Sequence, residues 1–314
     1  MYEPAPLRSP DGGPIIGLAL GSGAARGWAH LGVLRALERE GIHPQVIAGC
    51  SIGAFVGAAL AAGDLDKLTD WAESLKWQDI VALLDVSLRG GLIKGQKLIQ
   101  FFARNFVDRD FSELDRRFAC VATELHSGRE IWLREGSVAD AVRASMAIPG
   151  LLTPVMRDGR LLLDGGLVNP VPVSLCRAMG ADLVFAVDLG SDLVGKTWRS
   201  PAPEEETTLG WTERLLGRLG VGANGGNGGV RNGQTEVSAA SLPSVLTVLT
   251  TSINIMQMRI ARSRLAGEPA DVEISPRLGH LGAMDFHRAR EAIAEGEAAV
   301  ERILPALRYT LGHR

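Results

Sequence analysis

A short apolar run, Gln45-Val46-Ile47-Ala48, stops abruptly at Gly49-Cys50-Ser51-Ile52-Gly53, and a small-residue helical pattern from Ala54 begins at once. Few backbones accommodate that change of period without a spacer. A buried strand must turn sharply into a helix, and glycines on either side of Ser51 leave room for the bend. The turn pushes the Ser51 hydroxyl out of the fold, which packing alone does not require. Ser51 is therefore the candidate nucleophile. Cys50 stands beside it, but the exposed position of such an elbow is the central one, so Cys50 is expected to be inert.

A nucleophile needs donors for a developing oxyanion. Pro14 to Leu20 reads as a buried parallel strand that stops at Gly21-Ser22-Gly23, and a helix with Trp28, Leu31, Leu34 and Leu37 on one face follows, ended by Gly41. Successive backbone N–H groups in the loop Gly21-Ser22-Gly23-Ala24-Ala25-Arg26-Gly27, backed by a helix dipole, make an anion pocket. A dinucleotide fingerprint fails here twice. Arg26 stands where its third glycine belongs, and the next strand ends in Gly49-Cys50-Ser51 instead of an acidic residue. As an oxyanion hole beside Ser51 the loop fits.

The base is less obvious. The six histidines, His30, His43, His126, His280, His287 and His313, read as surface or helix residues, none of them closing a strand in a glycine-flanked loop. Asp164 differs: it ends the apolar run Leu161-Leu162-Leu163, is followed by Gly165-Gly166, and precedes the rigid Asn169-Pro170-Val171-Pro172. A turn aspartate is the plain alternative. A carboxylate held against Ser51 takes its proton directly, as a weaker base than imidazole.

The order of elements, strand, glycine loop, helix, strand, sharp turn, helix, opens a doubly wound α/β sheet. Asp64 reads as the N-cap of a helix through Leu75. A hairpin spans Arg117 to Arg134, a small-residue helix Val138 to Met146, a further helix Val173 to Met179 and a buried strand Asp182 to Val187. Between residues 196 and 242 the prolines, three consecutive glutamates and Gly/Asn-rich run cannot build a core, so a disordered insertion is expected there. A long helix then resumes after Pro243, with a strand near Val272–Ile274 and a last helix from Phe286 to about Leu304. The expected organisation is a flexible N-terminus over 1–13 and a single domain over 14–314.

Composition excludes several classes. A net charge of −3 and 5% aromatic residues argue against a nucleic-acid partner. Three cysteines without ligand spacing (Cys50, Cys120, Cys176) give neither a disulfide framework nor a metal site. The first residues lack a basic start and an apolar stretch, so no secretory signal is read and a cytoplasmic location is expected. Val46 to Gly63 is uncharged for long enough to suggest a membrane span, but its glycines favour a buried strand and helix. Gly190-Ser191-Asp192-Leu193-Val194-Gly195-Lys196-Thr197 matches a P-loop string, yet Pro201 and Pro203 follow where a long helix is required, so no nucleotide is expected there.

Gly-x-Gly-x-x-Arg-Gly from Gly21, Gly-x-Ser-x-Gly at Ser51 and Asp164-Gly165-Gly166, in that order, resemble the patatin-like phospholipases, most of all their bacterial branch related to neuropathy target esterase. Ala144-Ser145-Met146-Ala147-Ile148-Pro149-Gly150 is similar to that family's segment between elbow and aspartate. The resemblance covers about Ile15 to Asp188. It implies a three-layer α/β/α fold with a mainly parallel sheet, and a Ser51–Asp164 dyad with no catalytic histidine, metal or cofactor. It implies an oxyanion loop of Gly21, Ser22, Gly23 and Ala24, with Arg26 fixing that loop or meeting an anionic head group. Gly49, Gly53, Gly165 and Gly166 would be the motif glycines. The implied substrates are acyl esters of phospholipids or lysophospholipids, with transient contact at the inner membrane face. Two other readings stay open: a carboxylesterase or thioesterase for small acyl groups, and a regulatory module that keeps the fold without turnover.

Overall fold

The computed structural model describes residues 12–83, 94–193 and 245–312. The expected insertion 196–242, and all of the expected N-terminal tail except Gly12 and Gly13, lie outside the described residues, as do Val194 to Thr197 of the P-loop string.

The strands are β1 Ile16–Leu20, β2 Val46–Cys50, β3 Arg117–Glu124, β4 Glu130–Leu133, β5 Val155–Arg157, β6 Arg160–Asp164, β7 Leu183–Val187 and β8 Val272–Ile274. They form one sheet in the order β5-β6-β3-β2-β1-β7-β8, with β4 also paired to β3. The run from β3 to β8 is parallel, while β4, β5 and β6 join antiparallel. The helices are α1 Ala29–Arg39, α2 Ile52–Ala61, α3 Leu65–Ser74, α4 Trp77–Leu83, α5 Gln96–Asn105, α6 Val138–Ser145, α7 Val173–Ala178, α8 Val245–Gly267 and α9 Ala289–Thr310.

Alternation along the parallel strands separates two cores. Leu18, Leu20, Ile47, Phe185 and Val187 point to one face, where α1, α2, α3, α5, α6 and α9 pack. The intervening Ala19, Ala48, Ala119, Val184 and Ala186 face α7 and α8. Small residues on the second face let those two helices lie close to the strands. Because both faces are covered, the strands read as continuous apolar runs. The result is a three-layer α/β/α architecture.

On the large face α1 and α9 touch backbone to backbone. A Cβ on Gly32 would lie 1.9 Å from the Ile293 carbonyl oxygen, and one on Gly296 would lie 2.1 Å from that of Ala29. Beside this contact Trp28, Phe55, Trp71, Phe101, Phe102, Phe106 and Phe286 form a chain of edge-on and tilted rings 4.1 to 6.5 Å apart.

Two local expectations need correction. Asp64 occupies the position before α3, but its side chain makes no cap and pairs with Lys67 at 2.5 Å instead. The last helix starts at Ala289, after a short turn over Phe286–Arg288, and continues to Thr310 with Pro305 inside it. Fully buried Leu307 anchors the turn beyond the proline, and tertiary packing overrides the break that proline alone predicts. Val46 to Gly63 is β2 and α2, buried almost throughout. Among the described residues no helix is long and apolar enough to cross a membrane.

Candidate active site

The site forms at the carboxyl ends of β1 and β2. Ser51 takes φ 56° and ψ −121°, a sparsely populated conformation for a residue with a side chain. The turn is enforced from both sides. A Cβ on Gly49 would fall 2.4 Å from Ala54 Cα, and one on Gly53 would fall 2.1 Å from the Leu20 carbonyl oxygen. Ser51 occupies the N-cap position of α2 but makes no side-chain cap. Its hydroxyl instead donates to Asp164 Oδ2 at 2.6 Å. The N-terminus of α2 at Ser51 also favours negative charge there.

Asp164 reaches this point because β6 runs antiparallel to β3. The strand comes in from beyond the end of β3, with Leu162 opposite Glu124, and stops with Asp164 opposite Ala122. Cys50 lies opposite Val121 on the other pairing of β3, so serine and aspartate arrive at the same level. Asp164 is fully buried, and burial pushes its carboxyl up to about 6, against the opposing pull of the bonds from Ser51 and the Gly166 N–H. The Gly166 N–H donates to Oδ1 at 2.7 Å. A carboxyl near 6 is well matched to accepting a proton close to neutral pH.

One short stretch supports both groups. Ser145, at the end of α6, accepts the Ser51 N–H at 2.9 Å on its hydroxyl oxygen, and the Ala147 carbonyl accepts the Asp164 N–H at 2.9 Å. The Thr123 hydroxyl donates to the Asp164 carbonyl at 2.8 Å. On the far side, Gln257 of α8 lies between Asp164 Oδ1, at 3.5 Å, and the Ser22 hydroxyl, at 3.3 Å. Sequence reasoning singled out neither Thr123 nor Gln257, and met Ser145 only within the segment Ala144 to Gly150, without a role.

The glycine loop is narrower than its string suggests. The Gly21 N–H donates to the Val187 carbonyl at 3.1 Å and the Ser22 N–H to that of Pro170 at 2.9 Å, so neither amide is free. The expectation that all of Gly21 to Ala24 supply oxyanion donors therefore contracts to Gly23 and Ala24. Ala24 has φ 51°, and it borders the cavity that Ser51 opens into. Arg26 donates through Nε to the Leu281 carbonyl at 3.0 Å and so ties the loop to the segment before α9.

His30 sits on a helix, α1, as read, but it is fully buried instead of partly exposed, with Nε2 2.8 Å from the Gly21 carbonyl. A carbonyl only accepts, so Nε2 carries the proton and the buried Nδ1 is left without a partner. Burial holds this imidazole down at about 4, and it stays neutral near pH 7. His43, His126, His280 and His287 are exposed, and His313 lies outside the described residues. No histidine bonds either Ser51 or Asp164 among the described residues. Cys50 is fully buried, and burial first, then the Asp164 charge, raises its thiol well above the ordinary value, so it is no nucleophile.

Ser51 lines a cavity of about 860 Å³, counted out to its open mouth, and every other lining residue is apolar. Trp28, Phe55, Trp71, Leu75 and Phe286 form one wall; Met146, Ile148, Leu151 and Leu152 form another.

A family profile described as patatin-like phospholipase matches residues 18–177. An uncharacterised NTE family protein of Mycobacterium bovis is 33% identical over 98% of this chain and 96% of its own length. The lysophospholipase nte1 of Emericella nidulans is 28% identical over 94% of this chain, which corresponds to 18% of that larger protein. Among solved structures, VipD from Legionella pneumophila superposes with a TM-score of 0.56 at 14% identity, covering 96% of this chain and 69% of that one, a likeness of fold alone.

Proposed function

The chain belongs to the patatin-like phospholipase family, and from that premise we propose that it is a serine acyl hydrolase that releases fatty acids from phospholipids or lysophospholipids. The observation that carries this reading is the position of the Ser51 hydroxyl. It sits 2.6 Å from a buried carboxylate on one side and opens into an apolar cavity on the other.

In the proposed reaction Ser51 Oγ attacks the ester carbonyl while its proton passes to Asp164 Oδ2. The Gly23 and Ala24 N–H groups receive the oxyanion, and removing one such donor typically costs about 100–1,000-fold in rate. Asp164 then returns the proton to the departing alcohol oxygen as the C–O bond breaks, leaving the acyl group on Ser51. Water, deprotonated by Asp164, attacks that ester; Asp164 passes the proton to Ser51 Oγ as the acyl C–O bond breaks, which releases the fatty acid and restores both residues. No third residue is needed to fix the tautomer of the base, since a carboxylate has none. The acyl chain lies in the cavity, where each buried methylene contributes about 0.8 kcal/mol. This favours long acyl chains over the small ones of a general carboxylesterase.

The test is covalent labelling by a fluorophosphonate, read by intact mass, together with hydrolysis of lysophospholipids and matched short esters. One adduct on Ser51 and kcat/KM rising with chain length are expected. Absence of an adduct on the folded protein would favour a non-catalytic module. A preference for acetyl or butyryl esters would return the small-acyl esterase.

A further inference from the structure

We infer that Gln257 is a positioning residue for this reaction: its side-chain amide joins the Asp164 carboxylate to the oxyanion loop and determines which carboxylate oxygen faces Ser51. The inference rests on the Ser51–Asp164 reading and extends it to α8, an element outside the matched residues 18–177.

The two oxygens of Asp164 have different surroundings. Among the described residues Oδ2 accepts only the Ser51 hydroxyl, at 2.6 Å, while Oδ1 accepts the Gly166 N–H at 2.7 Å and faces Gln257 Nε2 at 3.5 Å. Gln257 cannot be turned over, because an ionised carboxylate has no proton to give and only the amide nitrogen can face it. The oxygen end is then left to accept the Ser22 hydroxyl at 3.3 Å. Each contact is long, and each alone is weak. Their value is geometric: one amide bridges the base and the loop whose next residues carry the free donors.

Packing keeps the amide there. Gln257 is buried, and Ala261 and Leu265 further along α8 are locked into the second core. A Cβ on Gly166 would lie 2.4 Å from Gln257 Nε2, so the second motif glycine is the space into which the glutamine fits. Among the described residues, few groups are placed to disturb Asp164 electrostatically. Cys50 on β2 faces it as a neutral thiol, and Asp188 and Arg26 line the small pocket on the other side of Gln257. Glu130 near Cys50 is engaged with Asn169 and Arg264.

The experiment compares Gln257→Glu, Gln257→Met and Gln257→Asn with wild type, using a soluble short ester over pH 4.5 to 9. In Gln257→Glu a second carboxyl beside Asp164 favours its protonated form, and the acid limb of kcat/KM should move up by about one pH unit or more. Gln257→Met should lower kcat about tenfold while KM for a long acyl ester stays within about twofold, because Gln257 does not line the acyl cavity. Gln257→Asn, which keeps the amide on a shorter arm, should fall between. A folded Gln257→Glu protein with the wild-type acid limb, or Gln257→Met with wild-type kcat, overturns the inference. Should Gln257→Glu fail to fold, the Met and Asn variants decide. Failure of the underlying reading looks different: wild type would then carry no fluorophosphonate on Ser51, or Asp164→Asn would keep full activity.

Discussion

The two flanks of Ser51 are built on opposite rules. Toward Trp71 and Leu151 the described residues offer an almost wholly apolar surface, with no charged side chain among those that line it. Toward Asp164 the polar atoms are joined in a chain from Ser51 through Asp164 and Gln257 to Ser22. The apolar flank tolerates whatever chain fits and is rewarded in proportion to area. The polar flank depends on distances of a few tenths of an ångström. Recognition and chemistry are therefore separable, and substitutions on one flank should leave the signature of the other intact.

The hardest blow to that separation would come from the dyad itself. Ser51→Ala and Asp164→Asn should each lower kcat by about 1,000-fold or more on long and short esters alike. A loss confined to long esters would mean that the two flanks are not independent. Next in size, Ile148→Asp places a charge on the cavity wall and should reduce kcat/KM for long acyl esters roughly 10–100-fold. The fluorophosphonate labelling rate should change little. Equal losses for acetyl and long-chain esters would merge the flanks.

The smallest effect sharpens the comparison through pH. With Asp164 held up to about 6, kcat/KM should fall about tenfold per unit below that pH. Stability responds in the same window. The folded chain keeps on Asp164 a proton that the unfolded chain releases from its ordinary value of 3.8, so stability falls as pH rises from about 4 to 6. Asp164→Asn removes that liability. Its Tm should exceed wild type by several degrees at pH 8, with the advantage gone by pH 4, and a pH-independent difference would contradict the assignment.

The apolar architecture was more legible in the sequence than the polar wiring. The elbow announced itself because Gly49 and Gly53 have steric neighbours that no side chain could share. The parallel strands were visible as apolar runs, though not the division of Leu18 and Leu20 from Ala19 between two cores. What the residues could not disclose is which partner each polar group finds. Ser145 lies 94 positions from Ser51 and Gln257 lies 93 from Asp164, and no local pattern encodes such pairs. The loop shows the same limit. Four amides looked equivalent until the Val187 and Pro170 carbonyls claimed two of them. His30 read as an ordinary helix histidine because its partner, the Gly21 carbonyl, has no side-chain signature.

The antiparallel entry of β6 has a consequence for tolerance of insertions and deletions. Successive residues of a strand face opposite sides of a sheet. Adding or removing one residue between Arg160 and Asp164 would therefore turn the carboxylate to the wrong face, with every side chain still present. Adding two would restore the face but shift it by about 6.8 Å along the strand. The turn just outside, where Asp158 and Gly159 take φ of 50° and 74°, bears no such arithmetic. Length variation in descendants of this chain should collect before Arg160 and be absent from the five residues that follow.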